Sequence, residues 1–338
     1  MTIVFFTLVV LAAGVFAFLN GFKDASSSVA VAVRTRALTP TVAVLLAGLF
    51  NFIGAALSAT LVLEVSRTWI SLPPGDNGLT IVLAGLLSAA AWGLYTWWRG
   101  IPASSTHALI GGLAGASVGN IATGGIPVTG VDSSLLLQVV LPLVLSPAIA
   151  FAAAYALVWP AHWAARYTPP NVVNSRSRRS QAVAAGAVAF AHGLQDGQRT
   201  SAILVLALLA AGLSDGASLP PWVAVLTAAM LAAGTLAGGW RISYTIGYRL
   251  SRIDPLRGFV ALLWSSTLLL VGAVALHLPM STTHTTTSAV LGAGANQNFS
   301  SVNRRLAIRI LVYWLLTPAM AAAGAFVLQL ALSPLAGK

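Results

Sequence analysis

Ala17-Phe18-Leu19-Asn20-Gly21-Phe22-Lys23-Asp24 is answered 172 residues later by Ala189-Phe190-Ala191-His192-Gly193-Leu194-Gln195-Asp196. A second pair, Pro102-Ala103-Ser104-Ser105-Thr106-His107 and Pro279-Met280-Ser281-Thr282-Thr283-His284, repeats at an offset of 177. Chance likeness between apolar stretches supplies alanines and valines, but not Asp, then Pro, then Ser-x-Thr-His in the same order twice. The chain is therefore two related halves. Ala30/Ala202, Val33/Val205 and Gly115/Gly292 extend the match, whereas Gly119 meets Asn296.

The sequence around these motifs decides the class. Of the 338 residues, 57% are hydrophobic and 7% charged, and mean hydropathy is +0.86. That leaves too little polar surface for a water-soluble chain of this length and places it in a bilayer. A hydrocarbon core about 30 Å thick takes apolar runs of about 20 residues. Such runs lie near 2–19, 41–63, 79–98, 134–159, 222–239, 257–276 and 307–331. The first has no basic segment before it and no small-x-small cleavage site after it, so it reads as a retained membrane helix. Stretches such as 26–33 and 103–119 are too short to span and predict half-helices or re-entrant hairpins buried in protein.

The fold expected is an all-α integral membrane protein built of two inverted-topology repeats with interrupted helices and re-entrant hairpins. The inversion holds if an odd number of crossings separates the copies. The stretch 166–180, with its Pro-Pro pair and Ser-Arg-Ser-Arg-Arg-Ser, is expected as a basic linker between a first repeat, 1–165, and a second, 181–338.

A net charge of +11 could suggest nucleic acid, but there is no soluble domain and no interleaving of aromatic with basic residues. The basic residues gather instead in short stretches: Arg166, Arg176, Arg178 and Arg179; Arg241, Arg249, Arg252 and Arg257; Arg304, Arg305 and Arg309. The positive-inside rule puts these in the cytoplasm, with the N-terminus outside a plasma membrane. The absence of cysteine excludes disulfides and thiolate metal sites.

Asp24 and Asp196 lie within apolar segments, where a carboxylate costs about 2.5–3.5 kcal/mol to insert. Their recurrence in register points to ion coupling; the plainer reading is a carboxylate paired with a basic neighbour near the membrane edge. The turns beginning at Pro102 and Pro279 each carry three hydroxyls: Ser104, Ser105 and Thr106; Ser281, Thr282 and Thr283. Proline suits a first helical turn and Ser or Thr caps it, so these turns can direct backbone N–H groups and hydroxyls at a tetrahedral anion. The plainer reading is an ordinary N-cap. His107, His284 and His192 are open to two readings, a proton relay or a hydrogen bond that locks a loop. No H-x-x-x-H or H-E-x-x-H spacing occurs, so neither a metal centre nor a cofactor is expected. Duplicated, interrupted apolar segments are the sequence mark of a secondary transporter.

At these residues the chain resembles the inorganic phosphate transporter (PiT) family, whose repeats carry G-x-N-D-x-x-N and P-x-S-T-T-H type motifs. The likeness covers nearly the whole chain. It implies phosphate uptake by symport with sodium or protons, alternating access around a midplane anion site, and a homodimer. Departures fall at the amide positions: Lys23 and Gln195 stand before the aspartates, and Ser27 and Arg199 three residues after them. Amide oxygens suit sodium, whereas ammonium and guanidinium groups only donate. Lys23 and Arg199 then act as built-in cations, with protons favoured as the coupling ion, or snorkel to an interface and leave the site alone. The alternatives are a sulfate or other oxyanion permease of the same fold, a channel, and, more remotely, an intramembrane serine hydrolase. No G-x-S-x-G elbow supports the last.

Overall fold

Proline opens four of the described helices, its fixed φ and missing N–H fitting the first turn. A computed structural model describes residues 1–58, 71–129, 136–215, 218–276, 278–297 and 301–336. Its helices, in chain order, are α1 (Thr2–Arg34), α2 (Pro40–Ser58), α3 (Asp76–Trp98), α4 (Ser105–Ala122) and α5 (Leu141–Ala165) in the first half. The second half has α6 (Pro170–Ala210), α7 (Pro221–Ala237), α8 (Trp240–Tyr244), α9 (Pro255–Leu270), α10 (Thr282–Gln297) and α11 (Arg304–Leu332). Among the described residues no strand forms. All seven apolar runs lie on helices, apart from 238–239 and 276 at their ends and 59–63 and 134–135, which fall outside the described residues.

Among the described residues six helices are long and apolar enough to cross a membrane: α1, α2, α3, α5, α9 with its π-helical end, and α11 with its final turn. The pair 221–237 and 240–250, bent by 57°, makes a seventh if counted as one span. The 41-residue α6 fails that measure of composition because Gln195, Asp196, Gln198 and Arg199 interrupt its apolar course.

Two sequence expectations are corrected by this architecture. The segment 26–33 is no half-helix: α1 runs unbroken through Asp24 to Arg34, and α6 runs unbroken through Asp196. Gly21 and Gly193 mark crossings rather than breaks. A Cβ at Gly21 would overlap the Leu231 carbonyl oxygen on α7, and one at Gly193 the Asn51 carbonyl oxygen on α2. Nor is 166–180 a loop throughout. From Pro170 it is the first turns of α6, since nothing after the prolines interrupts helical bonding, and Ser177 and Gln181 pack inward while Arg176, Arg178 and Arg179 face out.

The halves interlock. α4 of the first half packs along α11, the last helix of the second, and α10 packs along α5, the last helix of the first. Equivalent glycines permit both contacts: a Cβ at Gly115 would overlap the Ala322 carbonyl, and one at Gly292 the Phe151 carbonyl. In the same way α1 packs on α7 and α6 on α2. Besides the bend at Gly238–Gly239, the chain is interrupted at the second motifs, where 101–104 and 278–281 run into the interior and α4 and α10 begin there.

Candidate functional site

Ser104 and Ser281 start the two inner helices. Each side-chain oxygen accepts a bond from the backbone N–H three residues on, His107 N at 3.2 Å and His284 N at 3.3 Å, which is N-cap geometry. His107 Nδ1 also lies 2.9 Å from Ser104 Oγ. Two of the six candidate hydroxyls therefore build the turns. The other four are freed to face inward, and Trp314 of α11 pins the first turn by donating from Nε1 to the Pro102 carbonyl at 2.8 Å.

Asp24 lies where the two turns meet. Ser105 Oγ donates to its Oδ2 and Thr283 Oγ1 to its Oδ1, both at 2.7 Å, so a hydroxyl from each half grips one carboxylate. Lys23, 3% exposed, curls back on the same group. Its Nζ lies 3.2 and 3.1 Å from Oδ1 and Oδ2, 3.0 Å from the Ala103 carbonyl and 2.5 Å from Ser105 Oγ. Four oxygens thus surround a tethered ammonium. Gly93 on α3 makes room for it, since a Cβ there would come within 3.3 Å of Lys23 Cε. Lys23 does not snorkel.

Asp196, 2% exposed, is held by nitrogen groups instead. Arg199 Nη1 bonds its Oδ1, and His192 Nε2 lies 3.0 Å from its Oδ2. Arg199 Nη2 donates to Gln195 Oε1 at 3.0 Å and to the Met280 carbonyl at 2.7 Å. Gln195 in turn accepts from Met280 N at 3.0 Å and donates to the Leu269 carbonyl at 3.0 Å. Sequence spacing aligns Gln195 with Lys23, but it is Arg199, one turn along, that does the equivalent work.

The two sides meet. One donor atom each from Asp24, His192 and Asp196 lies within 4.8 Å of the others, a convergence hidden in the sequence because the residues come from different halves. Each carboxylate already carries a side-chain cation, so this is a charge-balanced cluster rather than an open coordination shell. Buried hydroxyls without a hydrogen-bond partner stand one turn beyond each aspartate, Ser27 on α1 and Thr200 on α6, and at the start of α10, Thr282; Thr285, Thr286 and Thr287 follow. A buried hydroxyl left unpaired costs about 1–3 kcal/mol, and an oxyanion or water would relieve it. Thr106 is buried. His107 and His284 meet at a tilt with ring centroids 4.7 Å apart, and His284 stacks on Trp314 at 3.9 Å, which makes them packing between the two inner helices and α11. Asn51, Thr235 and Gly93 also belong to the site, and no motif singles them out.

Comparison with known proteins gives a consistent result. The phosphate transporter family model matches residues 20–325. A Bacillus subtilis protein named "Probable low-affinity inorganic phosphate transporter" is 35% identical over 320 residues, covering 94% of each chain. A Rhizobium meliloti protein of the same name is 39% identical over 311 residues, covering 91% of this chain and 90% of that one. Among solved structures, one described as "The sodium-dependent phosphate transporter" matches with a TM-score of 0.83 and 22% identity, over 98% of this chain and 99% of the other. At that identity it speaks for the fold.

Proposed function

Because the chain belongs to the phosphate transporter family, we propose that it imports inorganic phosphate by symport, with protons rather than sodium as the coupling ion. It is a multi-pass membrane transporter and not an enzyme. The carrying observation is the pair of tethered cations. Lys23 Nζ and the Arg199 guanidinium fill the oxygen-lined positions beside Asp24 and Asp196. A sodium ion there would have to displace a covalently attached competitor.

Phosphate binds between the inner helices, taking donors from the unpaired hydroxyls Ser27, Thr200 and Thr282 and from the first backbone N–H groups of α4 and α10. Ser105 and Thr283 keep Asp24 oriented. Entry of one negative charge against an inside-negative potential of about 100 mV costs about 2.3 kcal/mol, so accumulation needs at least one co-transported cation per monoanion. Exchange packing between equivalent helices supports an inverted-repeat architecture in which one bundle rocks against the other around the fixed site. The arginines of 166–180 face the cytoplasm, the N-terminus lies outside the plasma membrane, and the working unit is a homodimer.

The deciding measurement is phosphate uptake into proteoliposomes with sodium replaced by choline, then with a protonophore added. Uptake that survives choline and collapses with the protonophore is expected. Uptake that stops without sodium overturns proton coupling, and equal competition by sulfate overturns phosphate as the preferred anion.

A further inference from the structure

His192 joins the aspartate cluster to a hydrogen-bond chain that fixes where its protons lie. The chain starts at Thr235, whose hydroxyl is 2.9 Å from the Leu231 carbonyl and 3.4 Å from that of Gly21. Its proton closes the helical bond to the Leu231 carbonyl, and with the amide of Asn51 assigned from this network its oxygen accepts from the amide nitrogen 2.9 Å away. That orientation turns Asn51 Oδ1 toward His192 Nδ1 at 2.9 Å. A carbonyl oxygen only accepts. Nδ1 therefore carries the N–H, a tautomer assigned from the network, and the bare nitrogen of the neutral ring is Nε2. Nε2 is buried, has no aligned hydrogen-bond partner, and lies 3.0 Å from Asp196 Oδ2. A lone pair so close to a carboxylate oxygen is repulsive in a dry interior, and one added proton makes the contact attractive.

The charge balance points the same way. The ionisable groups near His192 are Asp196 and Arg199 on its own helix and Lys23 and Asp24 on α1. α2 and α7 carry no ionisable side chain. On α3, Asp76 stands in the first turn and Tyr95 near the far end, and the one such group on α9, Arg257, pairs with Asp254 near the start of that helix. Lys23 and Arg199 offset Asp24 and Asp196, leaving the cluster neutral. A bound phosphate adds at least one negative charge, and both neighbouring cations are already committed. One proton on His192 restores the balance.

We infer that His192 takes up the co-transported proton at Nε2 against Asp196, with Asn51 and Thr235 as positioning residues that hold its tautomer. The inference rests on the proton-coupled reading above. The proton comes from water on the side to which the site is open, forms an N–H bond at Nε2 as phosphate binds, and returns to water on the other side when phosphate leaves.

The test uses the full chain in sodium-free proteoliposomes under an imposed pH gradient, with the membrane potential clamped. Steady-state accumulation is an equilibrium ratio and is independent of turnover. One coupled proton raises it about tenfold per pH unit, equivalent to about 1.4 kcal/mol, beyond the change set by phosphate's own ionisation. In His192→Gln that extra slope should vanish; a slope equal to that of the unmodified protein overturns the assignment. If the unmodified protein accumulates phosphate on a sodium gradient and not on a pH gradient, the coupling reading itself fails, a distinct result. Should His192→Gln not fold, NMR of the histidine ring nitrogens in the unmodified protein decides. A neutral Nδ1–H ring without phosphate and a doubly protonated ring with saturating phosphate are expected; an Nε2–H tautomer overturns the proposal. Asn51→Leu should yield mixed tautomers, and Asn51→Asp, which keeps an acceptor, should preserve the Nδ1–H form.

Discussion

The Lys23–Asp24 side and the Arg199–Asp196 side solve one problem with different residues. Lysine precedes its aspartate by one position and arginine follows its own by three, so the sequence repeat breaks at both. Yet Lys23 reaches the Ala103 carbonyl and Arg199 the Met280 carbonyl, the same atom of the two equivalent turns. Symmetry lost in sequence is kept in space. What differs is the remaining coordination. Asp24 is held by two hydroxyls, one from each half, whereas Asp196 leans on a histidine. The first side is an anchor between halves, and the second contains an imidazole, a group built to gain and lose a proton.

The largest effect is expected from breaking the anchor. Asp24→Asn leaves a buried ammonium without its carboxylate, costing about 3–5 kcal/mol. Phosphate accumulation should be abolished and thermal unfolding in detergent shifted down. The double variant Lys23→Met/Asp24→Asn should recover most of that stability without recovering transport.

Next comes Lys23→Asn combined with Arg199→Asn, which removes both tethered cations and returns amide oxygens to the cluster. Uptake should change from sodium-independent to sodium-stimulated; a sodium response no greater than before would show that the tethered cations do not set ion choice. Thr283→Val deletes one charge-assisted hydrogen bond, worth about 1.5–3 kcal/mol, and Ser105→Ala deletes two, to Asp24 and from Lys23. If Asp24 truly bridges the halves, both should lower the melting temperature, Ser105→Ala by more.

Arg199→Lys keeps the charge but cannot serve Asp196, Gln195 and Met280 together. About a tenfold fall in uptake rate is expected, with little change in protein level. The smallest effect is Gly93→Ala, which crowds the Lys23 stem and should cost about 1 kcal/mol in stability. Among the described residues no glycine makes room for Arg199 in the same way.

Much of this arrangement is legible in the amino-acid sequence. The apolar runs locate the helices because a bilayer-spanning segment must be long and continuous, and the motif repeat locates both turns and both aspartates. The course of the chain at Asp24 is less legible. Gly21 and the polar residues after it look like an interruption, but the glycine serves a helix crossing, and only the position of α7 reveals that. The fate of Lys23 cannot be read either, since snorkelling and pairing need the same side chain and differ only in what lies within reach. Asn51, Thr235 and Gly93 carry no motif; they belong to the site through contacts more than 40 residues distant in sequence. The prolines of 166–180 suggest a linker because a helix starting at proline and a loop ending there share the same residues.

The exchanged packing of α4 with α11 and α10 with α5 bears on how the chain comes to be assembled. α4 is made well before its partner α11, which belongs to the other half of the duplication. Until then its glycine face has nothing to lie against, and neither half can close its own turn. The contacts that seat it lie so far off in sequence that they form only once α11 is also in the membrane. A chain stopped before Arg304 would lose the seating of a turn encoded 200 residues upstream.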